Sequence, residues 1–147
     1  MNILVINGPN MNMLGIREAE IYGRETYDDL VYFVSEAAEE LRDGKGESID
    51  LTFFQSNHEG AIIDEIQDAL GEFDGIVINP AAYTHTSIAI ADAIKAVGIP
   101  TVEVHLTNPK EREDYRKVSF VEEACLATVK GMGFQGYVEA LKILCRE

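Results

Sequence analysis

Short apolar runs alternate with amphipathic stretches along most of the chain. The apolar runs predict β-strands at about 3–7, 49–54, 75–79 and 101–106. Elsewhere apolar residues recur every three to four positions, which predicts helices at about 26–42, 60–71, 87–97 and 137–145. Strands that alternate with helices form a parallel sheet covered by helices on both faces.

Individual residues mark the ends and the inner faces of the predicted helices. Thr26 or Tyr27 begins the first helix, while Gly98 and Pro100 separate the third helix from the strand after it. The first helix turns one apolar stripe toward the core, formed by Leu30, Phe33, Val34, Ala37, Ala38 and Leu41. The final helix does the same with Val138, Leu141 and Leu144.

The segment ACLATV, within 120–130, is too short for periodicity to distinguish helix from strand, and we predict a fifth parallel strand there. Five parallel strands joined by right-handed crossovers predict a flavodoxin-like α/β three-layer sandwich with strand order 2-1-3-4-5. A length of 147 residues without internal repeats predicts one domain spanning 1–147.

Composition narrows the class of protein and of partner. The opening MNILVIN lacks a basic leader and a cleavage site, so we predict a strand there and not a signal peptide. No apolar run approaches the roughly 20 residues of a membrane span. A net charge of −14 argues against nucleic acid or an anionic membrane as partner. Cys125 and Cys145 are expected to be reduced packing residues of a cytoplasmic protein.

All three histidines, His58, His85 and His105, follow or close a predicted strand. Ligands bind outside the carboxyl ends of the strands in open parallel sheets, so we expect a polar pocket shared by the three imidazoles. Four arginines fall in segments near the same edge and could hold a small anion there: Arg17, Arg24, Arg112 and Arg116.

The first connection, about 8–25, is much longer than the 2 to 6 residues usual between strand and helix. It contains no GxGxxG or P-loop motif, so neither nucleotide fingerprint is present. Its length, with Arg17 and Tyr22 inside it, is typical of an active-site lid. The alternative is a surface loop whose arginine is solvated and whose tyrosine covers the core.

Glu103 and His105 lie two positions apart on the fourth strand and therefore share one face. A carboxylate next to an imidazole can fix its tautomer and raise its basicity, which suits a general acid. The alternative is an edge strand with one solvated face. Likewise, Asn79 ends a strand and is placed to point into a cleft, but Asn79, Tyr83 and His85 could instead cap turns.

Two other functions of this fold class lack their residues. A phosphoacceptor signalling domain needs an acidic cluster after strand one and an aspartate after strand three, where this chain has Asn7 and Asn79. A flavin carrier needs a hydroxyl-rich phosphate loop in the first connection, and NGPNMNMLG contains neither Ser nor Thr.

Five sequence blocks occur in order along nearly the whole chain. They are NGPNMNMLGIRE with IYG, QSNHEG, INPAAYTHTSIAIADA, PTVEVHLTN with RE and YR, and GFQGYVEAL. Together they resemble type II 3-dehydroquinate dehydratase of the shikimate pathway of aromatic amino-acid biosynthesis. The resemblance implies a flavodoxin-like subunit, no cofactor and no metal. It also implies anti elimination of water from 3-dehydroquinate through an enolate, and a homododecamer built as a tetramer of trimers.

The resemblance also implies residue roles. Tyr22 matches the base that removes the C2 proton, and Arg17 the lid arginine that helps Tyr22 to ionise. His105, supported by Glu103, matches the acid that protonates the departing C1 hydroxyl, while Asn10 matches a residue that stabilises the enolate through a water. Substrate-binding positions are matched by Asn79, His85, Leu106, Thr107 and Arg116, and by Asp92, which reaches a neighbouring subunit's site.

Several positions depart from the family pattern. Ala81 stands where familiar members have glycine, Met11 and Met13 replace leucines, and Thr107 replaces a frequent serine. We expect the changes at Ala81, Met11 and Met13 to leave the chemistry intact, and Thr107 to keep the hydroxyl while its added methyl tightens the carboxylate site. Lys117 and Val118 stand where histidine is common, which puts a supporting role of those side chains in doubt.

Overall fold

The computed structural model describes residues 1–16, 20 and 23–146. It contains one sheet of five strands, paired in parallel in the order β2-β1-β3-β4-β5. The strands are β1 (Asn2–Asn7), β2 (Asp50–Gln55), β3 (Gly75–Asn79), β4 (Thr101–His105) and β5 (Ala127–Lys130). The predicted fold class and strand order are confirmed.

Within the described residues the longer helices are α1 (Tyr27–Glu39), α2 (Glu59–Asp68), α3 (Ile88–Val97) and α4 (Gln135–Cys145). None of them has the length and apolarity needed to cross a bilayer. Thr26 caps α1 through a reciprocal pair of hydrogen bonds with Asp29. This helix ends three residues earlier than predicted, and the Arg42 guanidinium donates to the carbonyls of Glu39 and Leu41 just past its end.

The core forms two layers, one on each face of the sheet. On one face the sheet packs against α1 and α4, with the predicted inward residues Leu141 and Leu144 in this layer of the core. The third predicted residue, Val138, is buried as well. On the other face it packs against α2 and α3. Phe33 is an exception to the predicted stripe of α1, since its side chain remains 39% exposed.

β4 is an interior strand, flanked by β3 and β5, and all five of its residues are buried. The alternative of an edge strand with a solvated face is therefore wrong. The predicted fifth strand is confirmed as a parallel partner of β4, although it occupies only the end of the predicted segment. A short 3₁₀ helix, Glu122–Ala124, precedes it.

The ends of β1 and β3 approach each other closely at the carboxyl edge of the sheet. The Gly8 N–H donates to the Asn79 carbonyl at 2.8 Å. A Cβ on Gly8 would lie 2.6 Å from the Pro80 carbonyl oxygen, so no larger residue fits there. Just beyond, Ala81 has a φ of 52°, in the left-handed region that non-glycine residues rarely adopt. Alanine at this position therefore carries backbone strain.

We expect Ala81→Gly to raise the free energy of unfolding by about 0.5–1 kcal/mol. Relief of about 1–2 kcal/mol of left-handed strain outweighs the extra entropy that glycine gains in the unfolded chain. The matched control is Ala82→Gly in the same 3₁₀ helix, which should destabilise because Ala82 is not among the positive-φ residues. Urea unfolding at one protein concentration measures both, and equal effects of the two changes would contradict the strain.

Candidate active site

A cleft opens at the carboxyl edge of the sheet, where β1, β3 and β4 end. It brings together most of the described residues that the sequence predicts for the site, namely Asn10, Asn79, His85, His105, Leu106, Thr107 and Arg116. Arg112 also lines it, together with Pro9, Met11, Ala81, Ala82 and Pro109. Two imidazoles and two guanidinium groups thus border one cleft of an acidic protein.

His105 and Glu103 form a buried pair on β4, as strand alternation predicts. The His105 Nε2 lies 2.7 Å from the Glu103 Oε2, and the Glu103 side chain is fully buried. A carboxylate can only accept, so Nε2 carries the proton of this hydrogen bond. The contact fixes the orientation of the imidazole and stabilises a positive charge on it, while Nδ1 is the ring nitrogen that Glu103 leaves unengaged.

The Glu103 carboxylate is also held by hydroxyl groups from two other segments. Thr84 donates to Oε2 at 2.5 Å, and Thr128 donates to Oε1 at 3.4 Å. Thr84 comes from the 3₁₀ helix Ala81–His85 after β3, and Thr128 from β5. Hydrogen bonds of this kind offset much of the cost of burying a carboxylate.

His85 points toward the same cleft from the end of that 3₁₀ helix. Its Nδ1 lies 2.6 Å from the Val118 carbonyl oxygen, so Nδ1 must carry a proton. Burial lowers the pKa of His85, despite the opposing effect of this hydrogen bond. The ring is therefore neutral at neutral pH, with Nε2 as an acceptor. The backbone at Val118 thus supports the site, whichever side chain stands there.

A buried polar network lies beneath the cleft. The Tyr137 hydroxyl, on α4, donates to Asn7 Oδ1 at 2.5 Å and accepts from Asn79 Nδ2 at 3.0 Å. Burial raises the pKa of Tyr137 well above the ordinary value for tyrosine, so this phenol stays protonated. Asn79 lines the cleft, yet its Oδ1 also accepts from the Ala81 N–H at 3.0 Å, as the turn-capping alternative proposed.

Arg112 and Arg116 share one carboxylate. The Glu113 Oε2 lies 2.8 Å from Arg116 Nε and 3.8 Å from Arg112 Nε. The two arginine side chains are only 20% and 14% exposed. The pKa of Glu113 is lowered, first by a hydrogen bond from its own backbone and then by these arginines. Glu113 thereby aligns two partly buried cations beside the cleft.

Asn10 is positioned by a left-handed backbone conformation, with φ 69°. Its N–H donates to the Asn57 Oδ1 at 3.0 Å. The Tyr83 hydroxyl donates to the Asn57 carbonyl at 2.7 Å, which ties this loop to the segment after β3. Asn57, which the sequence reasoning did not single out, therefore holds Asn10 at the mouth of the cleft.

Other predicted residues do not reach the cleft. His58 is exposed at the start of α2 and is not among the residues that line the cleft, so the prediction of three histidines in one pocket is wrong for His58. Arg24 is exposed and also does not line it. Asp92 lies exposed on α3. Arg17 and Tyr22 lie outside the described residues.

The two cysteines are free and partly buried in the core, as predicted. Burial raises the pKa of Cys125, and the charges of Glu103 and Glu122 raise it further, so the thiol is protonated and unreactive. In the part of the chain that the structure describes, no three His, Cys, Asp or Glu side chains are grouped as metal ligands would be.

The sequence matches the family model for dehydroquinase class II over residues 1–145. It is 54% identical over 143 residues to the 3-dehydroquinate dehydratase of Caldicellulosiruptor saccharolyticus, covering 97% of this chain and 94% of that protein. It is 53% identical over 144 residues to that of Clostridium acetobutylicum, with coverage of 98% and 96%. The structure is similar to a type II dehydroquinase from Butyrivibrio crossotus, with a TM-score of 0.90, 50% identity and coverage of 98% and 97%.

Proposed function

We propose that this chain, which belongs to the dehydroquinase class II family, converts 3-dehydroquinate to 3-dehydroshikimate by anti elimination of water through an enolate. Membership of the family makes it a lyase of the shikimate pathway that dehydrates 3-dehydroquinate. The anti course, the enolate and the residue roles are the proposal. The observation that carries them is the buried Glu103–His105 pair beside a cleft bordered by Arg112 and Arg116.

In the first step the phenolate of Tyr22 removes the C2 proton, and the electrons move into the C3 carbonyl to give an enolate. Arg17, which stays charged, favours the phenolate. Asn10 stabilises the enolate oxygen through a water. The left-handed Asn10 backbone and its contact with Asn57 support this role, because they fix Asn10 at the mouth of the cleft.

In the second step the enolate collapses, the C1–O bond breaks and His105 gives its proton to the departing hydroxyl, which leaves as water. The new C1=C2 double bond is conjugated with the C3 carbonyl. Support for His105 comes from the 2.7 Å contact with Glu103, which orients the ring and stabilises its protonated form. A neutral His85 with Nε2 as an acceptor suits binding of a substrate hydroxyl and not donation of a proton.

The substrate carboxylate binds near Arg116 and the Leu106–Thr107 segment. An arginine is suited to this role because its planar donors match the geometry of a carboxylate. Arg112 joins Arg116 in this proposal, since both line the cleft and are aligned by Glu113. Asn79 and His85 complete the site around the ring hydroxyls.

The proposed assembly is a dodecamer built from trimers, in which Asp92 reaches the site of a neighbouring subunit. Its exposure on α3 supports this role, because an exposed carboxylate is available to a partner. With a charge of −14 on each chain, acidic groups at the contacts between subunits need cationic partners there.

The test is to add 3-dehydroquinate to the purified protein and follow the absorbance of the conjugated product. We expect turnover, and we expect it to survive exhaustive EDTA treatment, because the enolate route has protein donors enough without a Lewis acid. Lack of product would contradict the function. Loss of activity on chelation, restored by a divalent ion, would contradict only the proposal that no metal takes part.

A further inference from the structure

A line of hydroxyl groups leads from the buried Glu103 carboxylate toward the protein surface. The Thr84 Oγ1 lies 2.5 Å from Glu103 Oε2 and 2.7 Å from Ser119 Oγ. The Ser119 Oγ in turn accepts from the Glu122 N–H at 3.1 Å. Thr84 is buried and Ser119 is half-buried. The carboxylate is thus tied through two hydroxyls to the 3₁₀ helix before β5.

The direction of every hydrogen bond in this line follows from donor counting. An ionised carboxylate only accepts, so the single hydroxyl proton of Thr84 is donated to Glu103. The Thr84 oxygen must then accept from the Ser119 hydroxyl. The Ser119 oxygen accepts from the Glu122 N–H, which leaves its hydroxyl proton available for Thr84. All donors point toward Glu103, and bonds aligned in this way polarise and strengthen one another.

The alignment matters because Glu103 is fully buried and forms an ion pair with His105. When His105 gives its proton to the leaving hydroxyl, the carboxylate becomes a buried anion beside a neutral ring. Hydrogen bonds then carry the stabilisation of the anion. The Thr128 contact, at 3.4 Å to the other oxygen, is long, so the Thr84 hydroxyl is the stronger donor.

A missing Thr84 hydroxyl would also change where the proton of the pair resides. With fewer donors on Oε2, the carboxylate becomes more basic and competes with His105 for the proton. Transfer of that proton from Nε2 to Oε2 gives a neutral pair. The ring then keeps only its Nδ1 proton and is a weaker acid toward the leaving hydroxyl than a charged ring, so the chemical step slows while the cleft keeps its shape.

We propose that Thr84 and Ser119 are positioning residues of the dehydration, whose aligned hydroxyls hold the Glu103 carboxylate against the His105 ring. This inference rests on the proposed role of His105 as the acid. It assigns a function to two residues that do not themselves bind the reacting atoms.

The main test is Thr84→Val, which keeps the shape of the side chain and removes the hydroxyl. We expect kcat to fall about tenfold or more, the effect of losing a hydrogen bond to a charged group, with KM within about twofold of wild type. Thr84→Ser restores the hydroxyl and should restore most of kcat. Ser119→Ala should lower kcat about threefold, because it weakens the line one link further out.

The matched control is Thr101→Val on β4. Thr101 is buried, and its hydroxyl donates to the Ile99 carbonyl and not to Glu103. Thr101→Val removes a side-chain hydrogen bond from β4, the strand that carries Glu103. It should therefore lower the free energy of unfolding and leave kcat unchanged. Equal kcat losses in Thr101→Val and Thr84→Val would overturn the proposal, and so would a Thr84→Ser protein as slow as Thr84→Val.

Two further results keep the test decisive. If Thr84→Val does not fold, the test uses Ser119→Ala alone, because Ser119 is only half-buried. An unchanged kcat in Ser119→Ala would then overturn the proposal. His105→Asn separates this inference from the proposed function. Loss of activity in His105→Asn with none in Thr84→Val contradicts only the hydroxyl line, whereas full activity in His105→Asn contradicts the acid itself.

Discussion

Replacing His105 with asparagine is expected to lower kcat by about 10³-fold, within the range for a lost general acid. Asparagine keeps a polar side chain but has no proton to give up near neutral pH. The departing hydroxyl would then leave without protonation, which raises the barrier for breaking the C1–O bond. Initial rates from the absorbance of the conjugated product measure the loss.

The same variant separates the two proton transfers. If His105 acts only after the enolate has formed, His105→Asn still removes the C2 proton. Substrate recovered from D₂O should then carry deuterium at C2, which NMR detects. The matched control is His85→Asn at the other imidazole of the cleft, which should raise KM more than it lowers kcat. A larger loss of kcat in His85→Asn than in His105→Asn would reassign the acid.

The Glu103–His105 pair could be predicted because a strand has a simple period. Residues two apart on β4 point to the same face, and the structure joins them at 2.7 Å. What the period could not show is that β4 is interior. β4 is interior because β5 pairs with its outer side. The segment 120–130, which contains β5, is too short for periodicity to distinguish helix from strand.

The error at His58 has a topological cause. His58 follows β2, which lies at the edge of the sheet, while the cleft opens where β1, β3 and β4 end. His85 and His105 follow the adjacent strands β3 and β4 and therefore meet. Position after a strand predicts the edge of the sheet on which a residue lies. The distance along that edge depends on strand order, and the predicted order 2-1-3-4-5 already separates the end of β2 from the ends of β3 and β4.

The supports of the site were harder to predict because they come from distant parts of the chain. Thr84, Ser119 and Thr128 surround Glu103 from three separate segments, and no spacing in the sequence connects them. The Val118 contact with His85 is made by a backbone carbonyl, which leaves no signature in the side-chain pattern. The specific residue roles came from the family resemblance and not from the hydrophobic pattern.

Tyr22→Phe is expected to lower kcat by about 10²-fold or more with substrate binding near normal, because only the hydroxyl is lost. A phenol has an ordinary pKa near 10, so a tyrosine base at neutral pH needs about 4 kcal/mol of preference for the phenolate. The guanidinium of Arg17 is the proposed source. Exchange of the C2 proton with D₂O should disappear in this variant, in contrast to His105→Asn.

The other tyrosines provide the control for this experiment. Burial raises the pKa of both Tyr27 and Tyr137. Neither phenol therefore ionises readily enough to act as a base. The strongest rival is Tyr115, which is 67% exposed and has the Arg116 guanidinium carbon 5.3 Å from its ring centroid. Tyr115→Phe removes one hydroxyl beside an arginine, as Tyr22→Phe does, yet it should retain wild-type kcat. A Tyr22→Phe protein with more than about a tenth of wild-type kcat, together with an inactive Tyr115→Phe protein, would transfer the role of base to Tyr115.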